Sequence, residues 1–207
     1  MEVTKIVLTG GPCAGKTTAL DRIRDILPGY GYRVLFVPET ATELIGGGVT
    51  PWGCGTNADY QRCQMELQLK KEELFERAGR TMDAEKLLIV CDRGMMDNKA
   101  YMTGEDFLML CEEFKTTEEQ FRNRYDAVFH LVTAANGALE AYTMANNAAR
   151  YESPEEAVAL DDRLIAAWTG HPYLRIIGNS VDFEEKMDLL LSEILTFLGE
   201  TEHADEA

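Results

Sequence analysis

The sequence of 207 residues is short of basic side chains. It has 20 lysines and arginines against 36 aspartates and glutamates, which gives a formal net charge of −16. Proteins that bind nucleic acid or an anionic membrane need a basic face, because the phosphates of both ligands repel an acidic one. The sequence therefore predicts no nucleic-acid partner and no membrane partner.

Histidine is scarce, and long apolar runs are missing. The three histidines stand at no zinc-ligand spacing from a cysteine pair, and the five cysteines include no C-x-x-C motif. The sequence has no apolar run of about 18 residues, and its first residues do not form a secretory signal. These absences predict a cytoplasmic protein with reduced cysteines and no structural zinc.

Short β-branched runs alternate with longer amphipathic segments. This alternation indicates βαβ units, and we therefore expect a three-layer α/β/α fold with a five-stranded parallel sheet. Chain length favours one domain over residues 1–199, followed by an acidic tail at 200–207. The predicted strands are Lys5–Thr9, Arg33–Pro38, Leu87–Asp92, Ala127–Val132 and Tyr173–Ile177. The predicted helices are Gly15–Leu27, Asp59–Arg77 and Phe183–Leu198, with another beginning near Pro154.

The segment from Gly10 to Thr17 has the spacing of a phosphate-binding loop. It reads GGPCAGKT, which fits G-x-x-x-x-G-K-[ST], and it lies between a predicted strand and a predicted helix, as the P-loop motif requires. Its backbone N–H groups and the positive end of the helix dipole would surround phosphate oxygens. We expect Lys16 to contact the β- and γ-phosphates of ATP and the Thr17 hydroxyl to bind Mg²⁺. The predicted nucleotide-binding residues are Gly10, Gly11, Pro12, Cys13, Ala14, Gly15, Lys16, Thr17 and Thr18.

Two other predicted strands lead into acidic residues. Asp92 ends the third strand and Glu39 follows the second, so both belong at the carboxyl edge of the sheet, beside the phosphate loop. We expect Asp92 to help bind Mg²⁺. If the γ-phosphoryl group of ATP is transferred to a second substrate, the acceptor, we expect Arg93 to neutralise charge on that acceptor or on the phosphoryl group. Glu39 can accept a proton from an attacking hydroxyl. The alternatives are a turn or cap role for Asp92 and, for Glu39, capping or charging the N-terminus of the helix that follows.

A lid is expected within about residues 133–153, a small and polar stretch after the fourth strand. Long irregular segments in compact domains are usually functional, and kinases close an arginine over the phosphates to exclude water. Arg150 is the lid candidate and Arg163 is the second. Each arginine can instead pair only with neighbouring acids.

The acceptor would lie between Glu39, Arg93 and the long helix that carries Gln61, Gln64 and Gln68. Amides at this spacing can read the edge of a base, although a solvated helix face is the commoner outcome. Three aromatic residues can stack on a ring but more commonly pack in a core: Trp52, Tyr60 and Trp168.

These motifs occur together, in this order, in one family. The loop from Gly10 to Thr18, the Val37-Pro38-Glu39 corner and the Asp92-Arg93-Gly94 corner make the sequence resemble the AAA-type P-loop kinases. These kinases are related to the deoxynucleoside and thymidylate kinases and to the ribosylnicotinamide kinase domain of NadR-like proteins. The resemblance implies that Glu39 is the general base, Asp92 associates with the metal and Arg93 contacts the substrate or phosphoryl group. The chain differs in having Gly94 where that group often has serine and Asp92 where it often has glutamate.

The leading functional prediction is a phosphotransferase, a small-molecule kinase that moves the γ-phosphoryl group of ATP to a nucleoside, nucleotide or related metabolite. The alternative is a regulatory or accessory domain that hydrolyses ATP slowly and has no deep acceptor pocket. The sequence does not identify the acceptor, distinguish ATP from GTP or reveal the oligomeric state, so a homodimer is left open.

Overall fold

One parallel sheet forms the middle layer of the protein. The structure is a computed structural model that describes residues 2–137, 153–179 and 182–200. The strands are β1 (Glu2–Gly10), β2 (Tyr32–Val37), β3 (Lys86–Asp92), β4 (Ala127–Leu131) and β5 (Leu174–Ile177). All pairs are parallel, in the spatial order β2-β3-β1-β4-β5. The predicted five-stranded sheet is confirmed, and the predicted strand ends are displaced by at most three residues.

Helices cover both faces of this sheet. They are α1 (Lys16–Ile26), α2 (Thr40–Gly46), α3 (Asn57–Gly79), α4 (Gly104–Glu113), α5 (Glu118–Arg122), α6 (Pro154–Trp168) and α7 (Phe183–Leu198), with 3₁₀ helices at Leu27–Tyr30 and Met95–Tyr101. The sequence did not predict α2, α4 and α5, which have 7, 10 and 5 residues. Such short helices give little periodic signal. No helix in the described ranges is both long enough and apolar enough to cross a bilayer.

Side-chain alternation along β1 divides the core into two layers. Ile6 and Leu8 pack with residues of α1 and α7, whereas Val7 packs on the opposite face with residues of α3, α4 and α6. Successive side chains of a strand point to opposite faces, so a strand covered on both sides is apolar throughout. The predicted α/β/α layering is confirmed.

The strand register brings three strand ends to one edge. Leu8 on β1 pairs with Asp92 on β3, and Val37 on β2 pairs with Cys91 on β3. Because the strands are parallel, the segments that follow β1, β2 and β3 leave the sheet side by side. Ligands of open parallel sheets bind at this edge, in the crevice where the strand order reverses.

Candidate active site

The phosphate loop is a tight turn that ends in a left-handed glycine. Gly15 has a φ of 94° and directly precedes α1. A Cβ atom at Gly15 would lie 2.7 Å from the Phe183 ring, so a side chain is excluded there. α1 has no side-chain N-cap and no acidic residue in its first turn, which leaves its positive end for an anion. The local geometry therefore suits a polyphosphate.

Lys16 and Asp92 lie close together beside the loop. The Lys16 Nζ atom is 3.8 Å from Asp92 Oδ1, which is buried and accepts no hydrogen bond from the described residues. Burial raises the pKa of Asp92, and the charge of Lys16 acts in the opposite direction. A carboxylate oxygen without a donor, with the Thr17 hydroxyl following Lys16, fits the oxygen ligands that Mg²⁺ prefers.

Arg93 forms an ion pair with Glu39. Its Nε atom donates to Glu39 Oε1 at 2.7 Å, and Nη1 donates to the Gly10 carbonyl oxygen at 3.1 Å and lies 3.7 Å from Asp97 Oδ1. The φ of Arg93 is 72°, a left-handed value that is strained for a residue with a side chain. The backbone N–H of Arg93 donates to the Leu8 carbonyl oxygen at 3.0 Å. Strain of this kind, held in place by surrounding contacts, is found mainly at functional sites.

Glu39 is a carboxylate held in its ionised form. Burial alone would raise its pKa, but the charges of Arg93 and Lys16 and the Thr42 hydroxyl lower the pKa to about 2. Its Oε2 atom accepts from Thr42 Oγ1 at 2.7 Å. Glu39 is the N-cap residue of α2, but its side chain makes no cap hydrogen bond to that helix, so the alternative role is left with only the favourable charge at the helix N-terminus. Glu39 therefore stays ionised at neutral pH.

Asp97 is a site residue that the sequence reasoning missed. It is buried, its Oδ2 accepts from the Gly94 N–H at 2.7 Å, and its Oδ1 accepts from the Thr9 hydroxyl. Asp97 therefore fixes the corner that carries Arg93. The readable signal was an acid three residues after Gly94, at the spacing of a capping box.

A cavity of about 500 Å³ opens beside these groups. Glu39, Asp92 and Arg93 line it, together with the three glutamines of α3. Gln61, Gln64 and Gln68 are only 3%, 9% and 5% exposed. The expectation of a solvated helix face was therefore wrong, because this face of α3 packs towards the 3₁₀ helix Met95–Tyr101 and the cavity.

The amides on this wall form an ordered chain. Gln64 Nε2 donates to Asn98 Oδ1 at 2.7 Å, and Asn98 Nδ2 donates to both Gln68 Oε1 and the Met95 carbonyl oxygen at 3.0 Å. Gln68 Nε2 donates to the Arg93 carbonyl oxygen at 3.3 Å. Backbone carbonyls can only accept, so the two carbonyls fix every amide in the chain. Gln64 is therefore held in one orientation, in which its carbonyl oxygen and the second hydrogen of its Nε2 atom are the groups it can offer a ligand.

Two polar atoms of other residues in the cavity wall have no hydrogen-bond partner among the described residues. They are Gln61 Oε1 and the Tyr60 hydroxyl, and both are buried. Leaving such a group unsatisfied costs about 1–3 kcal/mol. Both atoms are therefore available to hydrogen-bond a polar ligand or water in the cavity.

The other aromatic candidates have different surroundings. Trp168 is fully buried in the core, with its ring centroid 5.6 Å from that of Tyr125. Core packing was the correct interpretation for Trp168. Trp52 is 78% exposed, so neither core packing nor a place in the cavity wall applies to it.

The two lid arginines have separate outcomes. Arg163 donates from Nε to the Ala100 carbonyl oxygen at 3.0 Å, which ties α6 to the 3₁₀ helix Met95–Tyr101. Arg150 and residues 138–152 of the expected lid lie outside the described residues, as do residues 201–207 of the predicted tail. The lid role of Arg150 stays a prediction.

Lys186 is a buried cation beneath the phosphate loop. Its Nζ atom donates to the carbonyl oxygens of Ala14 and Val132 at 3.1 and 2.8 Å and to Asn179 Oδ1 at 2.7 Å. Burial lowers the pKa of Lys186 to about 8, against the opposing charge of Asp161. Lys186 thus anchors the loop backbone from α7.

The stability of the protein should respond to pH through Lys186. Between its folded pKa of about 8 and its ordinary value of 10.5, the folded state binds fewer protons than the unfolded state. This group's contribution to the free energy of unfolding therefore rises as pH increases through that range. In urea titrations at about pH 7.5 and 9.5, we expect the difference between wild type and Lys186→Met to shift in favour of wild type at the higher pH. An unchanged difference would contradict this assignment.

Comparisons with known proteins are consistent with this geometry. A family model described as AAA domain matches residues 5–186. A structure of deoxyadenosine kinase from M. mycoides with bound dATP has a TM-score of 0.61 and 13% identity, and the match covers 92% of this chain and 98% of that chain. The same enzyme with the products dCMP and a flexible dCDP has a TM-score of 0.61 and 14% identity, with coverage of 93% and 100%. A search of curated proteins gave no match.

At such low identity the structural matches establish the fold, and activity has to be argued from the site. The family model covers most of the chain and includes the phosphate loop, Glu39 and the Asp92-Arg93-Gly94 corner. The chain belongs to this AAA domain family and has the fold of the nucleoside-kinase-like P-loop proteins.

Proposed function

We propose that the protein is a small-molecule kinase that transfers the γ-phosphoryl group of ATP to a hydroxyl of an acceptor bound in the 500 Å³ cavity. The observation that carries this proposal is the position of the cavity. Its wall includes Pro12 of the phosphate loop as well as Glu39 and Arg93, so donor and acceptor sites adjoin. A regulatory ATP-binding domain has no need of such a cavity.

The nucleotide would be held by the loop from Gly10 to Thr18. Lys16 stabilises negative charge on the β- and γ-phosphates, and Thr17 and Asp92 are the residues that would hold Mg²⁺. When bound, the metal supplies further positive charge to the phosphate oxygens. Arg93, held by Glu39 and Asp97, adds a fixed cation on the acceptor side.

The reaction is an in-line displacement at the γ-phosphorus. The acceptor oxygen forms a bond to phosphorus as the bond from phosphorus to the β–γ bridging oxygen breaks. The hydroxyl proton passes to Glu39, and ADP leaves. Glu39 orients the hydroxyl through its ionised carboxylate and takes up the proton late, in keeping with its low pKa.

A neutral acceptor fits this cavity better than a phosphorylated one. The described part of the wall carries three carboxylates, Glu39, Asp92 and Asp97, and one cation, Arg93, which already contacts Glu39 and Asp97. A monophosphate would add negative charge beside those carboxylates. Nucleosides are the first acceptors to test, because the structural neighbours are described with dATP, dCMP and dCDP.

The ordered amide chain gives a prediction about the base. Gln64 presents its carbonyl oxygen in a fixed orientation, and Gln61 Oε1 is a second acceptor without a donor among the described residues. An exocyclic amino N–H that reaches these oxygens should bind, whereas an oxo group in the same place would face another oxygen. We expect cytidine and adenosine to have kcat/KM values about 10- to 100-fold above those of uridine and inosine, respectively. Equal values within each pair would contradict the prediction.

A matched pair of variants tests whether the hydrogen-bonded amides of Gln64, Asn98 and Gln68 set this preference. Asn98→Ala removes the group that orients Gln64, so the ratio within each pair should fall towards one. Asn57→Ala makes the same change on the same wall, where Asn57 Nδ2 donates to the Tyr101 carbonyl oxygen at 2.7 Å and, within the described ranges, makes no bond to Gln64. This control should retain the wild-type ratio. If Asn98→Ala lowers kcat/KM by the same factor for both nucleosides of a pair, the role of Asn98 is merely structural.

Acceptor-dependent ADP release tests the proposed function. The full-length protein with Mg²⁺ and ATP is assayed against nucleosides, nucleoside monophosphates and other small hydroxyl compounds. We expect one class of neutral acceptor to accelerate ADP release and to gain the mass of one phosphoryl group. ADP release that no acceptor changes would contradict the proposal and support the regulatory alternative.

A further inference from the structure

α6 supplies a buried carboxylate to the phosphate loop. Asp161 is 2% exposed, and its Oδ1 atom accepts from the Gly11 N–H at 2.7 Å. Its Oδ2 atom accepts from the Thr133 N–H at 3.2 Å. The Nε2 atom of the fully buried His130 lies 3.0 Å from Oδ1. Because a carboxylate only accepts, this nitrogen of His130 carries the proton.

A negative charge is an unfavourable neighbour for a polyphosphate, so electrostatic attraction to the ligand does not explain Asp161. Its three donors converge from β4, the segment after β4 and the loop itself, which is the arrangement that makes a buried carboxylate tolerable. A Cβ atom at Gly11 would lie 2.5 Å from Asp161 Oδ1. The close approach therefore requires glycine at this position of the loop.

Asp161 and its neighbour Thr133 together hold the backbone of Gly11 and Pro12 at the start of the loop. Asp161 binds the N–H of Gly11, and the Thr133 hydroxyl donates to the Pro12 carbonyl oxygen at 2.5 Å. α6 also reaches the acceptor side, because Leu160 lines the cavity and Arg163 binds the Ala100 carbonyl oxygen. One helix thus fixes the phosphate loop relative to the cavity.

We propose that Asp161 is a positioning residue that holds the Gly11–Pro12 turn in the conformation that receives the triphosphate. This inference rests on the proposed function, in which the loop binds Mg²⁺·ATP. Asp161 acts through the loop backbone and touches no reacting atom. Without it, the loop keeps its sequence but loses the backbone geometry that aims its N–H groups at phosphate.

The experiment measures binding of a fluorescent ATP analogue to the full chain in the presence of Mg²⁺. Asp161→Asn keeps one acceptor for the Gly11 N–H but cannot accept from all three donors, and Asp161→Ala keeps none. We expect affinity to fall about 10- to 100-fold, with the larger loss for Asp161→Ala. Urea titration of each variant establishes the conditions under which it is folded.

Asp126→Asn is the matched control. Asp126 Oδ2 accepts the Lys5 N–H at 2.7 Å, so the variant alters a carboxylate bond to the backbone of β1, the strand that leads into the phosphate loop, five residues before that loop begins. The control should bind the analogue as wild type does. Wild-type affinity in folded Asp161 variants, or an equal loss in the control, would overturn the proposal. Because this assay needs no acceptor, an empty acceptor screen contradicts the kinase proposal without deciding the role of Asp161.

Discussion

Replacing Lys16 with methionine is expected to lower the rate of phosphoryl transfer by about 10³-fold or more. The change keeps an unbranched side chain of similar length but removes the positive charge beside Asp92, 3.8 Å from its Oδ1. That charge would otherwise stabilise the phosphoryl group in flight. It also lowers the pKa of Asp92, so the variant should raise the pKa of that carboxylate. Product formation at saturating ATP and acceptor measures the effect.

The control for Lys16→Met is Lys70→Met. Lys70 pairs with Glu73 on the exposed side of α3, and both side chains are more than half exposed, so its removal should leave transfer unchanged. A Lys16→Met protein that transfers phosphoryl groups within tenfold of the wild-type rate would exclude Lys16 from the role proposed here.

Glu39→Gln is expected to lower kcat by about 10²- to 10⁴-fold while the affinity for Mg²⁺·ATP stays within a few-fold. Glutamine still offers an oxygen to Arg93 Nε, so the ion-paired corner should keep its geometry, but an amide cannot take up the hydroxyl proton. Because the pKa of Glu39 is about 2, the wild-type rate should not fall through the ordinary titration range of a glutamate near pH 4.5. Single-turnover rates and nucleotide titrations separate the two effects.

Glu43→Gln is the comparison for Glu39→Gln. Glu43 lies one turn further along α2, pairs with Lys71 and is outside the cavity wall, so transfer should remain at the wild-type level. Equal transfer by Glu39→Gln and wild type would remove Glu39 from the reaction. Slow ATP hydrolysis unaffected by Glu39→Gln, without any product, is the behaviour of a regulatory domain.

The fold could be predicted because its signals are local. The phosphate motif fixes a strand before Gly10 and a helix after Gly15, and the buried β3 run ends at Asp92. Parallel strands then place Glu39 and Asp92 at one edge without further information. The short helices were not predicted because helices of 5 to 10 residues have fewer than three turns, too few to show a clear hydrophobic period.

The supports of the site could not be predicted, because they come from distant parts of the chain. Asp161 contacts Gly11 from 150 residues away, and Lys186 contacts Ala14 from 172 residues away. Either residue looks in the sequence like an ordinary charged position of an amphipathic helix. The burial of Gln61, Gln64 and Gln68 was missed for a related reason: only the packing of α3 towards Asn98 shows which face is covered.

The fate of a label on the γ-phosphate of ATP tests the central claim most directly. The protein is incubated with Mg²⁺, γ-labelled ATP and a panel of nucleosides that carry an amino group. The labelled products are then separated, and their masses are measured by mass spectrometry. We predict that the label appears covalently on one acceptor in proportion to ADP formed, and that Glu39→Gln forms this product at least about 10²-fold more slowly. Label that appears only as inorganic phosphate, whatever acceptor is supplied, would contradict the account.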